Sequence, residues 1–587
     1  MSPAVRLACL LACSLAVARR TGAQDTATQD AAAHDTATND TDEALKKELR
    51  ALVDASVEPD GPGGILGLLR RGEPFFVQPF GLADLDEKRA VTSATAFYLA
   101  SVAKNFTAAC VLDAAEAGKL ELDAPVRKYV TSLPERLGGV TLRQLLHHRS
   151  GIDDVYDLVI GLDLGGAPLA SNAAAVELCA RAAEPDFAPG ARFCYSNTGY
   201  VLLAEALRSA TGSALPAYAR AKLFEPLGMT HARYVGEPEL AAIPRAKSYD
   251  RTDDGWRVEE ILTGLVGPGG LWASFDDLAR WERGAFEGGW SSAKVRERLL
   301  APPVLAPEQS LHPVFGPYAG GALIGEDHGL PLVRLAGGAF GYGAEILRYP
   351  EQELSVVCLY NDDLGIDDLA EKAAAIALRE ELRDAPARDQ KGADEPRGVD
   401  PATLDLARFG RFWREEDSGV LWVLTLKPEH MTVVSLGDWK AELVPLGPER
   451  LAGRHVRTPI ELAFEPPKGP ATRMLVRAKG VLVATCRPQP FPPKTAPVLD
   501  DYAGEYAFAP LGTKLVLRAE AGGLRIVAEH ALRPGPPYEL PPFHFLGDDL
   551  FVCDAGAQMQ FTRDAAGKVA GLRLDLNRAR GLVLQRR

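Results

Sequence analysis

The apolar positions change rhythm along this chain. Between residues 43 and 385, stretches of two-residue and three-to-four-residue periodicity alternate. There "GGILGLLRRGEPFFVQPFGLAD" predicts a β-hairpin, "NFTAACVLDAAEAGKL" a helix apolar on nearly every side, and "ELSVVCLYND" a strand ending in polar residues. Residues 386–400, in "RDAPARDQKGADEPRGVDP", are charged and proline-bearing and predict a linker. Beyond it the texture becomes short β-like runs, first over 401–488 ("GVLWVLTL", "HMTVVSL") and, after a break at 489–497, again over 498–587 ("TKLVLRA", "GLRLDL"). Each of these segments has the size of a small barrel or sandwich. Their openings, "LARFGRFWR" and "LDDYAGEYAF", hint at a duplicated module.

The amino end has a different character. Residues 1–23 place Arg6 before a short apolar run and small residues at Ala18 and Ala23, the pattern of an export signal too short to span a bilayer. This predicts a secreted or periplasmic protein with no membrane span. Leu10-Leu11-Ala12-Cys13 loosely matches a lipobox, which would supply a lipid anchor, although the apolar run before Cys13 is short. Residues 24–42, rich in Thr, Ala and Asp, predict a disordered tether because they offer little apolar surface to bury.

A chain of 587 residues exceeds what one hydrophobic core serves, which agrees with several domains. Its net charge of −14, without a cluster of Lys and Arg, argues against nucleic acid as a partner. Cys110, Cys179, Cys194, Cys358, Cys486 and Cys553 lack metal spacing and read as buried small hydrophobes, with a disulfide open to them in an oxidising compartment. No cofactor is called for.

Candidate chemistry starts at Ser101 and Lys104. Ser-x-x-Lys alone has little value, since Ser291 and Lys294 satisfy it too; that copy opens a solvated helix with a serine at the N-cap. Ser101 instead precedes a buried helix. A lysine three residues on shares its face, and burial favours the neutral amine that can act as a base. Tyr195-Ser196-Asn197 is the single Tyr-x-Asn in the chain, set between a Pro-Gly turn and an apolar helix. Tyr195 could relay a proton, and Asn197 could hold Lys104 and a substrate carbonyl.

In this order and spacing the two motifs resemble the serine β-lactamase and penicillin-binding-protein superfamily, in its class C-like branch of esterases and D-amino-acid peptidases. "VTLRQLLHHRSGIDD", "LFEPLGMTHARY" and "GPGGLWASFDDLARW" resemble family segments as well. The resemblance implies an α/β (α+β) domain, an antiparallel sheet flanked by helices plus a helical lobe, followed by two small all-β, barrel-like domains. It makes Ser101 the acylated nucleophile, Lys104 its base partner, Tyr195 the catalytic tyrosine and Asn197 a polar clamp, with backbone N–H groups of Ser101 and Gly338 as the oxyanion hole.

The third family motif, Lys or His followed by any residue and Gly, falls on "PLVRLAGGAFGYGAEILRYP". Gly337, Gly338, Gly341 and Tyr342 fit it, but Leu335 stands at the cationic position and Arg334 belongs to the opposite strand face. The expectation is therefore a hydrolase of a small-molecule ester, amide or short peptide, one containing D-residues included, and not an efficient β-lactamase. The competing expectation is an inactive relative that binds cell-wall fragments or a protein partner. By the same resemblance a loop of a C-terminal barrel reaches the catalytic cleft. His147 and His148 are read as structural, Asp276 and Asp277 as a helix start after Ser274, and Cys194 as a buried thiol.

Overall fold

The computed structural model describes residues 30–182, 185–252, 255–259, 261, 263–302, 317–327, 329–362, 368–382, 399–400, 404–416, 421–427, 430–435, 439–454, 460–478, 480–489, 497–527, 542–553, 557–576 and 578–587. The expected export signal, and most of the two linkers at 386–400 and 489–497, lie outside them.

The first helix corrects the tether expected over 24–42. Helix α1 runs Asp30–Ser56 and so begins inside that segment. Its anchor lies further on: Leu45, Leu49, Leu52 and Val53 recur at helical spacing and pack into a core layer.

The expected hairpin forms as β1 (Gly64–Arg70) and β2 (Glu73–Phe80). Five later strands complete the sheet: β3 (Tyr318–Ala319), β4 (Ala322–Asp327), β5 (Leu330–Ala339), β6 (Tyr342–Tyr349) and β7 (Leu354–Tyr360). The order is β3-β4-β5-β6-β7-β1-β2, with every pairing antiparallel. Alternation along the strands sorts their side chains by face. Leu66, Leu68, Leu347, Tyr349, Val356 and Cys358 join α1 and the late helix Leu369–Ala377 on one side. Ile65, Leu69, Leu335, Ile346, Val357 and Leu359 enter the larger core on the other.

That larger core takes four helices that matter here: α2 (Ala103–Glu116), α3 (Val155–Gly161), α4 (Asn197–Thr211) and α5 (Phe275–Glu287). Ser274 and Asp277 form a reciprocal cap at the start of α5, so the acidic pair there serves the helix end. Arg348 of β6 and Glu282 of α5 form a two-pronged ion pair at 2.8 and 2.7 Å inside the fold, and Ser355 donates to the same carboxylate. The second Ser-x-x-Lys is ordinary: Ser292, one residue later than expected, caps helix Ala293–Leu299, and Lys294 pairs with Glu116.

Two β-domains follow. Eight strands from Phe412–Glu415 to Val481–Gln489 close into an antiparallel barrel. Eight more, from Gly504–Phe508 to Leu582–Arg586, form a second sheet whose ends meet through paired bonds between Leu524 and Phe543. The alike openings have alike structure: Trp413 Nε1 donates to Phe409 O, and Tyr506 Oη to Tyr502 O, in each case four residues back. The core of the last domain, which includes Tyr506, Leu572, Leu574 and Leu576, is continuous with that of the first domain. All six described cysteines are buried, and none is tied in a disulfide.

Candidate active site

A single 3-10 turn, Ala100–Val102, delivers the chain into α2 and puts Ser101 at the amino end of a buried helix. Ala100 holds a left-handed φ of 44°, a strained setting for a residue with a Cβ, directly before the serine. One turn on, Lys104 is wholly buried. Its Nζ lies 3.1 Å from Ser101 Oγ, 2.8 Å from Asn197 Oδ1 and 2.7 Å from the carbonyl oxygen of Pro268. Two of these three partners can only accept. A neutral amine has two N–H groups for the two carbonyl oxygens, and its lone pair is left facing the serine hydroxyl. Burial lowers the Lys104 pKa well below its ordinary value, against the pull of Asp154 and with help from Arg578.

Ser196, not Asn197, caps α4, accepting from Gly199 N. Tyr195 is thereby held outside the helix, where its hydroxyl donates to Ser101 Oγ at 2.9 Å. Burial raises the Tyr195 pKa, so the phenol keeps its proton. Asn197 accepts from Lys104 through Oδ1 as expected. Its backbone N and its Nδ2 donate to Asp154 Oδ2 at 2.6 and 2.9 Å, which ties the amide to this buried carboxylate and uses one of its two N–H groups. His148 is structural: Nδ1 accepts from Ser196 N, its carbonyl accepts from Cys194 N, and its ring lies 4.2 Å from that of Tyr195. Burial, with Lys104 adding to it, holds its pKa well below the usual histidine range. His147 is buried too, its pKa lowered to about 4 by that burial, and its Nδ1 meets Tyr318 O. Among the described residues no group of His, Cys, Asp and Glu side chains could hold a metal ion.

Strand β5 forms the facing wall. A Cβ on Gly337 would lie 2.5 Å from Leu99 O and 2.6 Å from Ser101 N, so only glycine lets the strand approach the Ser101 backbone. A Cβ on Gly338, next along, would meet only Tyr342 O, at an ordinary contact distance of 3.9 Å. Leu335 lies on the Gly337 side of the strand and is fully buried in the large core, while Arg334 turns to Glu345 and Glu371 on the other face. The departure from the third motif is therefore a matter of residue type and not of register.

Two residues of this network were not anticipated from the sequence. Asp154 is fully buried and caps α3 through its side chain; in "SGIDD" nothing local separates it from any helix-capping aspartate. Arg578 lies more than 400 residues away in sequence, between the last two strands, Val569–Asp575 and Leu582–Arg586. Its Nη2 is 2.7 Å from Asp157 Oδ1 and 3.6 Å from Asp154 Oδ1, its N donates to Asp157 Oδ2, and its O accepts from Asp154 N. A loop of the last β-domain thus reaches the site. The family resemblance implied a barrel loop at the cleft, but no pattern in the sequence singled out Arg578.

The family model described as Beta-lactamase matches residues 49–381. A D-aminopeptidase of Cereibacter sphaeroides is 26% identical over 525 residues, covering 88% of this chain and 94% of the relative. A D-aminopeptidase of Brucella anthropi is 24% identical over 553 residues, with 90% and 95% covered. Among solved structures, the octameric penicillin-binding protein homologue from Pyrococcus abyssi superposes with a TM-score of 0.52 at 21% identity, over 75% of this chain and 99% of that one, a likeness of fold.

Proposed function

The chain belongs to the Beta-lactamase family and is a serine hydrolase, and from that premise we propose that it is exported and hydrolyses amides or short peptides of D-amino acids through an acyl-enzyme on Ser101. The observation that carries the catalytic part is that Ser101 Oγ sits within hydrogen-bond reach of both Lys104 Nζ, at 3.1 Å, and Tyr195 Oη, at 2.9 Å. The names of the D-aminopeptidase relatives support the substrate class, and residues 1–23 support export.

Ser101 Oγ attacks the substrate carbonyl carbon while its proton passes to Lys104, and the new oxyanion is met by the N–H groups of Ser101 and Gly338. As the C–N bond breaks, the leaving amine takes that proton from Lys104 by way of Tyr195. Water then attacks the acyl carbon, giving its proton to the same pair, and as the C–O bond to Ser101 breaks that proton passes to Ser101 Oγ, which releases the acid and restores the hydroxyl and the free amine. Leu335 puts no cation beside the reacting carbonyl, which suits a neutral amide or ester, or a substrate whose charge lies elsewhere, better than one recognised by a carboxylate at that position.

Leu335 also favours a second reading, a slow or inactive relative that binds such ligands without turning them over. Intact-protein mass spectrometry separates the two. Wild type mixed with D-alanine amide, a nitrophenyl ester or a fluorophosphonate should gain a mass adduct or show turnover that Ser101→Ala lacks. Equal labelling of the variant would exclude Ser101 as nucleophile, and turnover of L- but not D-amides would overturn the substrate class. Cell fractionation with the mass of the mature amino terminus tests export.

A further inference from the structure

Arg578 touches neither Ser101 nor Lys104 in the reaction above, yet a continuous set of contacts joins it to the base. Its guanidinium faces Asp154 and Asp157. Asp154 Oδ2 takes the N and Nδ2 of Asn197, and Asn197 Oδ1 takes Lys104 Nζ. A buried carboxylate behind the asparagine favours the ammonium form of Lys104, whereas a catalytic base must be the free amine. A guanidinium on the other side of that carboxylate opposes the effect.

We propose that Arg578 is a positioning residue of the hydrolase site: by pairing with Asp154 it offsets the carboxylate that would otherwise hold Lys104 protonated, so that docking of the last β-domain completes the base. This rests on the reading of Lys104 as the base of an acyl-enzyme mechanism. Burial is the main force lowering the Lys104 pKa; Asp154 raises it and Arg578 lowers it, the signs that this arrangement requires. The other polar groups around Lys104 are accounted for. His148 is kept neutral by burial, and the rings of Tyr195 and Tyr200 lie 4.8 and 5.6 Å from Nζ. Around Arg578 stand Asp157 and, 6.0 Å from Cζ, the Tyr195 ring. Arg580 N, two residues on, donates to Asp153, which is paired with Asp186 and whose pKa burial raises well above the usual range.

The experiment is the pH profile of kcat/KM for a p-nitrophenyl ester in full-length wild type, Arg578→Met, Arg578→Lys, Asp154→Asn and the Asp154→Asn/Arg578→Met pair. Arg578→Met should move the acid limb up by about one pH unit, lowering kcat/KM about tenfold below the limb, with recovery at high pH. Arg578→Lys, which keeps the charge, and the double variant, which removes both charges, should return the limb towards wild type. If Arg578→Met undocks the last domain, Asp154→Asn with Arg578 intact still gives an answer: its limb should move to lower pH. A loss in Arg578→Met that is uniform across pH, or an unmoved limb in Asp154→Asn, would overturn the proposal and leave Arg578 a docking contact. Fluorophosphonate labelling of Ser101, measured alongside, keeps the two ideas apart: no labelling of wild type defeats the hydrolase reading, whereas labelling with an immobile limb defeats only the part given to Arg578.

Discussion

Lys104 donates to the carbonyl oxygen of Pro268 at 2.7 Å, a bond that anchors the buried amine. Together with Asn197 Oδ1 it uses both N–H groups of an uncharged amine. The sign of the pH dependence follows. A Lys104 acting as the base works only unprotonated, so with its pKa lowered by burial activity should be present above that lowered value and lost as pH falls through it. The kcat/KM profile should show an acid limb below the ordinary lysine range of ~10.4. Lys104→Arg, which stays protonated, should lose about 10²–10⁴-fold at every pH. A limb at the ordinary lysine value would contradict the assignment of the base.

Gly337 offers a test of geometry apart from titration. An alanine there would drive its Cβ to within 2.6 Å of Ser101 N and 2.5 Å of Leu99 O, displacing the nucleophile or the strand. A misplacement near 1 Å costs about 10²-fold in rate, so Gly337→Ala should fall by at least that in kcat while folding normally. Gly338→Ala meets nothing closer than 3.9 Å and keeps its N–H, so it should lose far less. Equal losses in a steady-state assay of both variants would refute this account of the strand.

Leu335 leads to a prediction about penicillins. Fully buried and apolar, it has no charge for a β-lactam carboxylate. Penicillin should therefore be turned over weakly or not at all under conditions where an uncharged nitrophenyl ester is hydrolysed. Rapid saturable penicillin hydrolysis, followed by ultraviolet absorbance, would reverse that inference.

The stability prediction concerns Arg348 and Glu282. Glu282 is fully buried and Arg348 nearly so. Removing one member alone strands a charge in the fold and should cost about 3–5 kcal/mol, whereas replacing both with apolar residues costs much less. Glu282→Leu should then show a markedly lower midpoint in urea, partly restored in the Glu282→Leu/Arg348→Met pair. An unchanged midpoint for the single variant would show that the pair contributes nothing.

Much of this arrangement was legible beforehand because it depends on short separations. Ser101 and Lys104 share a helix face three residues apart, and Tyr195 and Asn197 flank one helix cap, so local spacing carries both pairs. The position of Leu335 was equally readable, since alternation along a strand assigns its face. The helical start at Asp30 was missed because composition reports burial capacity only locally, while α1 is held by leucines further along that pack on another layer.

What the order of residues determined by itself is the inventory: a buried helix led by serine and lysine, a tyrosine-asparagine turn, a strand with leucine where a cation would stand, and two β-rich modules. Only the tertiary structure decided which way the Asn197 amide faces, and that Asp154 and Arg578 stand behind it. Charges felt through a low-dielectric core act over ångströms in space, whatever the distance along the chain. A guanidinium more than 400 residues from Lys104 can therefore bear on its proton, and no pattern along the chain records that closeness.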